Sequence, residues 1–155
     1  DDYKRIYVYG IASSGVVARE FKLRFMRLGL DVDYLAEAHS IRMNITRIDQ
    51  NSLVFGISVS GRTTEVVDGL KAAKEKGAKT VMLSAFDIHK YRQYYDELIL
   101  MSGLKNLAVS DKISPQIPAL IMIDILYTHY LHYNQYHKRE KLQMTLTDIG
   151  YELEE

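Results

Sequence analysis

Leu53-Val54-Phe55-Gly56-Ile57-Ser58-Val59-Ser60-Gly61-Arg62-Thr63-Thr64-Glu65 is the stretch that decides the fold. It opens on an apolar run and continues through a hydroxyl-rich turn. Beyond it Val66, Val67, Leu70 and Ala73 recur at helical spacing. The reading is a buried strand, a tight turn and the start of a helix. In the turn, Ser58, Ser60 and Thr63 supply hydroxyls, and Gly61 lets the backbone approach closely where the positive end of a helix dipole points. That combination suits a phosphate. Ser and Thr are also the preferred N-cap residues, so Thr63 or Thr64 could simply cap the helix. A cap uses one hydroxyl, however, and leaves Ser58 and Ser60 unexplained, which favours anion binding.

A second unit repeats the pattern. Ile6-Tyr7-Val8-Tyr9 reads as a strand, Gly10-Ile11-Ala12-Ser13-Ser14-Gly15 as a turn, and Val17, Phe21, Phe25 and Leu28 as one face of a helix. In a parallel sheet, turns at the carboxyl ends of adjacent strands meet at the switch point, where α/β proteins bind ligands. Two other phosphate binders are excluded by the residues they require. Gly15 is followed by Val16 and Val17, not by the Lys-Ser/Thr of a nucleotide-triphosphatase loop, and Ala12 stands where the dinucleotide fingerprint needs a glycine.

Together the two turns make nearly the whole chain resemble the sugar isomerase (SIS) domain. This phosphosugar-binding fold is found in aldose-ketose isomerases and as the effector half of RpiR-type transcriptional regulators. The resemblance implies a flavodoxin-like three-layer α/β/α sandwich around a five-stranded parallel sheet. It implies a sugar phosphate held by Ser58, Ser60, Thr63 and the amide of Gly61, with Ser13 and Ser14 completing the pocket. Ala12 departs from the glycine usual in the family, and its methyl narrows the backbone choices of the first turn.

The rest of the chain fits the same plan. Gly29 reads as a helix C-cap, residues 31–35 as a strand near an edge, and residues 39–47 as a short helix. Lys74-Glu75-Lys76-Gly77 ends the helix after the phosphate turn, with cations and a glycine where the dipole favours them. Residues 80–84 and 97–101 read as the fourth and fifth strands, separated by a tyrosine-rich helical stretch. Strands alternating with helices imply a parallel sheet. A loop over residues 102–112 leads to Ser114-Pro115 and Pro118, which mark a helix start. That helix, residues 117–131, is apolar on all sides, so a second subunit could cover one of them. The residues from Gly150 to Glu155 are expected to fray.

Length and composition set the outer bounds. A chain of 155 residues is of single-domain size and buries ~68–70% of its unfolded surface. Acidic and basic residues number 20 each, so the field expected of a nucleic-acid binder is missing and DNA is not a direct ligand. Cysteine is absent, as are a membrane-length apolar run and a signal peptide, and a soluble, cytoplasmic protein is expected. The sequence starts Asp1-Asp2-Tyr3 and enters a strand almost at once. Residues 1–155 are therefore expected to be a single domain excised from a longer protein with an upstream helix-turn-helix domain, amino-terminal processing being the alternative.

Aldose-ketose isomerisation needs a positioned base, for which Glu37, His39, Glu65, Asp87, His89 and Asp111 are available. SIS isomerases commonly have a glutamate near their carboxyl-terminal helix, whereas residues 110–116 here contain only Asp111. His39, after the second strand, is a further candidate ligand contact. His129, His132 and His137 lie among Tyr127, Tyr130, Tyr133 and Tyr136, which suits an aromatic subunit interface better than a metal site. Arg19, Lys22, Arg24 and Arg27 read as the solvated face of the first helix. The expectation is a homodimeric phosphosugar sensor of a transcriptional regulator, with no catalytic residue, metal or cofactor. A free-standing isomerase is the rival, and a module that only dimerises is a third possibility.

Overall fold

The computed structural model describes residues 3–103, 113–133 and 135–148, the last stretch with backbone only over 135–139. Five strands run in parallel: β1 (Arg5–Gly10), β2 (Val32–Leu35), β3 (Ser52–Ile57), β4 (Lys79–Ser84) and β5 (Glu97–Leu100). Their order is β2-β1-β3-β4-β5, so the chain reverses direction across the sheet between β1 and β3. These two strands pair in register from Arg5↔Ser52 to Gly10↔Ile57. The turns that follow therefore leave the sheet side by side, about 4.8 Å apart. Both turns emerge at the switch point, as anticipated.

Alternation along the strands sorts side chains into two cores. Val8, Ile57 and Leu83 face α1 (Ser13–Met26) and α4 (Ile117–Tyr133), packing with Val17, Phe21, Phe25 and Ile123. Tyr7, Tyr9, Val54 and Met82 face α2 (Ala38–Asn44) and α3 (Thr64–Glu75), packing with Ile41, Val66 and Leu70. The result is the expected α/β/α sandwich. Tyr9 is fully buried but keeps a partner, donating to Asn44 Oδ1 at 2.7 Å. Burial, with a smaller contribution from neighbouring Tyr7, pushes its phenol above the ordinary range.

The tyrosine-rich helical stretch is a 3-10 helix, His89–Tyr94. The structure departs from the sequence reading in three places. A fifth α-helix, α5 (Gln135–Asp148), follows α4. It carries Leu142 back against the first core and brings Thr145 Oγ1 to the Arg27 carbonyl at 3.4 Å. Its sequence is polar almost throughout, so no apolar stripe announced it. Two cations of α1 are not merely solvated. Lys22 bridges Asp33 of β2 at 3.0 Å, and Arg24 bridges Asp124 of α4 at 2.7 Å while lying 4.6 Å from the Tyr127 ring centroid. Finally, two of the three tyrosines of α4 are used within the domain. Tyr127 is 9% exposed and meets Phe25 edge-on, with Tyr130 half-buried beside it.

What remains outward on α4 is Tyr133, 79% exposed at its end, and an aliphatic stripe, Ile117, Ile121 and Ile125, with exposures of 45–55%. Residues 104–112, including Asp111, lie outside the described residues, as do residues 149–155 and the side chains of Tyr136 and His137.

Candidate functional site

The loop from β3 to α3 is closed on itself by its hydroxyls. Ser58, only 1% exposed, has its Oγ 2.8 Å from Thr63 Oγ1 and accepts from the Thr63 amide at 3.4 Å. The Gly61 amide donates to the Ser58 carbonyl at 3.0 Å, and the Arg62 amide donates to Ser60 Oγ at 3.2 Å. Gly61 sits at φ 67, a conformation that glycine adopts without steric cost. Ser60 is exposed, Thr63 half-buried, and Arg62 reaches solvent from the middle of the loop.

These bonds bear directly on the capping alternative. Thr63 is the N-cap residue of α3, yet its side chain makes no capping bond, because its hydroxyl is turned toward Ser58. The first amides of α3 therefore lack the side-chain acceptor that a Thr cap would provide. The positive end of the helix is left open toward the loop.

The first turn has the same property. The N-cap position of α1 is Ala12, which has no capping side chain. Ser14 is buried, and Ser13 is exposed on the turn. Ala12 itself is held at φ 52, ψ −123, with the Ser14 amide donating back to the Ile11 carbonyl at 3.1 Å. This is the first central position of a type II′ turn, normally a glycine. Holding an alanine there costs on the order of 1–3 kcal/mol. Ala12→Gly should relieve that strain while adding ~0.4–1 kcal/mol of unfolded-chain freedom. The net gain of about 1 kcal/mol would raise the melting midpoint by roughly 2–4 °C. Calorimetry showing a lower midpoint would mean that the turn does not hold Ala12 in this conformation.

Sequence reasoning missed Ser84, at the carboxyl end of β4. Its hydroxyl is fully buried, donates to the Phe86 carbonyl at 3.0 Å and accepts from the Phe86 amide at 3.1 Å. A Cβ built on Gly61 would lie 2.7 Å from Ser84 Oγ. Ser84 thus packs under the β3–α3 turn and fixes its height above the sheet. A serine ending the strand next to β3 was the available signal.

The other candidates are distributed differently. Glu65, with Arg42 and Asp68, lines a 290 Å³ groove between α2 and α3 that also includes Thr64. His39 is exposed on the first turn of α2, at the same sheet edge, and no described bond ties it to either serine turn. Among the described residues no three His, Asp or Glu side chains converge as metal ligands, and no helix is long and apolar enough to cross a membrane.

Comparison with known proteins agrees with this geometry. An uncharacterized HTH-type transcriptional regulator of Haemophilus influenzae is 30% identical over 124 residues, which cover 80% of this chain and 43% of that protein. The chain spans less than half the length of the curated regulators it matches. Vibrio vulnificus NanR, solved in complex with ManNAc-6P, superimposes with a TM-score of 0.80 at 22% identity, over 96% of this chain and 56% of NanR. The sugar isomerase domain of the RpiR transcription factor from Sphaerobacter thermophilus superimposes at 0.76 with 17% identity, over 96% of this chain and 79% of that one. The SIS domain family model matches residues 2–103, which hold both serine turns and four complete strand-turn-helix units, and the chain accordingly belongs to the SIS domain family.

Proposed function

We propose that this chain is the phosphosugar-sensing effector domain of a transcriptional regulator, working in the cytoplasm. Ser60, Thr63 and the open first amides of α3 hold the phosphate. Buried Ser58 positions Thr63, and the Gly61 amide, which donates to the Ser58 carbonyl, shapes the turn instead of meeting the ligand. Ser13 and Ser14 close the site from the neighbouring turn. The observation that carries the reading is the uncapped amino end of α3, whose capping hydroxyl is committed to Ser58 instead. An anion is the partner such an end lacks. The regulator relatives and the sugar phosphate in NanR support the same reading. DNA would be contacted by a separate upstream domain, since this chain carries no net charge.

The domain acts as a homodimer in this scheme, joined through the outward isoleucine stripe of α4. Ligand occupancy then shifts the relation between two subunits, provided the ligand binds one arrangement more tightly. Light scattering should give about twice the 17.9 kDa of the chain, and Ile121→Lys should return it to the monomer mass. A wild-type monomer at high micromolar concentration would remove this coupling.

Two experiments test the site. Hexose or amino-sugar phosphates should raise the melting midpoint while the unphosphorylated sugars leave it in place. Ser60→Ala should weaken calorimetric binding by ~1–3 kcal/mol, as for one hydrogen bond to a charged group. The rival isomerase reading draws only on the fold's use in such enzymes. NMR of aldose and ketose phosphates mixed with the protein should show no interconversion. Turnover abolished by Glu65→Gln or His39→Ala would establish the enzyme instead.

A further inference from the structure

Parallel sheets are ordinarily buried on both faces, because helices cover each side. Here the face toward α2 and α3 obeys the rule. On the other face α1 and α4 cover the carboxyl half of the sheet, burying Val8, Ile57 and Leu83. The amino half of the two interior strands is different. Ile6, Leu53 and Phe55 are only half-buried and floor a hollow of about 540 Å³, walled by Phe25 of α1 and by Leu126 and Tyr130 of α4. No described element fills it. It lies at the end of the strands opposite to the serine turns, so it is separate from the proposed phosphate site.

We propose that this hollow is the seat of the polypeptide that precedes residue 1 in the full-length protein, an amphipathic segment whose apolar side chains complete the core. Two observations select this occupant over a second copy of the chain. Tyr3, at the amino end of the described chain, is itself part of the wall, so a segment joined ahead of this domain in a longer regulator would have the hollow within reach. The match covers less than half the length of the regulators, and even the Sphaerobacter sugar isomerase domain extends beyond the match by about a fifth. The aliphatic stripe proposed for dimerisation lies elsewhere on α4, at Ile117, Ile121 and Ile125, and is left free. The inference rests on the reading that the chain is one domain of a longer regulator. It would seat the connection to the upstream domain on α1, the helix that begins at the Ser13–Ser14 turn.

The test compares the full-length protein with residues 1–155 by hydroxyl-radical footprinting read by mass spectrometry. Oxidation at Leu53, Phe55 and Tyr130 should fall several-fold in the full-length protein, while Met43, exposed on α2, serves as an unchanged control. Leu53→Lys in the full-length protein should restore oxidation at Phe55 toward the rate seen in 1–155. Equal oxidation in the two proteins would overturn the proposal. So would protection in 1–155 alone that rises with concentration, which would assign the hollow to a second copy, or a coding sequence that begins at residue 1. Titration of both proteins with a hexose phosphate reads the serine turns separately, so either idea can fail while the other stands.

Discussion

Gly61→Ala is expected to weaken sugar-phosphate binding at least 100-fold, the largest effect of any single substitution in the site. Two costs converge at this position. Its φ of 67 lies in the left-handed region, which costs an alanine ~1–2 kcal/mol. The added methyl would also stand 2.7 Å from Ser84 Oγ, 3.0 Å from Ile88 Cγ1 and 3.2 Å from the Phe86 carbonyl oxygen. The Ser84 hydroxyl cannot swing aside cheaply, because it is buried and bonded to both polar backbone groups of Phe86. The loop must therefore rise, and the Ser58–Thr63 pair must open with it. Losing two hydrogen bonds to a charged ligand amounts to ~3–6 kcal/mol, at about 1.4 kcal/mol per factor of ten. Calorimetric titration of folded Gly61→Ala decides the matter. Wild-type affinity in a protein with a lowered melting midpoint would put the phosphate in another loop.

Gly10→Ala should be the most destabilising single-methyl addition, lowering stability by about 3 kcal/mol. A Cβ at Gly10 would lie 2.4 Å from the Ser14 carbonyl oxygen, 2.7 Å from its carbonyl carbon and 3.2 Å from the Gly15 nitrogen. All three are backbone atoms of the first turn of α1, so no side chain can move to make room. Helix and strand must separate, opening the core around Val17, Phe21 and Val8. For a chain of this size the midpoint should fall by roughly 6–12 °C. Gly103→Ala is the control, since its nearest neighbours are side-chain atoms at 3.6–3.9 Å, and it should shift stability by no more than ~0.5 kcal/mol. Equal melting of the two variants would mean that α1 does not sit against β1 as described. Because Gly10 pairs with Ile57 beside the proposed phosphate turn, the same variant should also bind sugar phosphate more weakly.

The sequence alone determined the architecture and the position of the two serine turns side by side at the switch point. Apolar runs of strand length, hydroxyl turns and helical stripes followed one another in an order only a parallel α/β sandwich satisfies, and local chemistry marked each boundary. Gly77 follows the C-cap of α3 at positive φ, as such a cap requires, while Gly29, also at positive φ, lies two residues beyond Arg27, the C-cap of α1. These features are legible because their causes lie within a few residues of one another.

The tertiary structure decided everything that depended on which groups meet across the chain. Whether Thr63 Oγ1 accepted from an amide of its own helix or turned to Ser58 Oγ was a choice between two partners of one hydroxyl, and only the closed loop shows the outcome. Ser84 gained its role from lying on the neighbouring strand beneath Gly61, 23 positions away in sequence. Helix α5, with no apolar stripe of its own, exists by docking Leu142 and Thr145 onto surfaces made by α1 and α4. The tyrosines of α4 carried no mark of direction. The face of α4 that meets Phe25 of α1 took Tyr127 and Tyr130 inward and Ile123 into the core, and left Ile117, Ile121, Ile125 and Tyr133 outside.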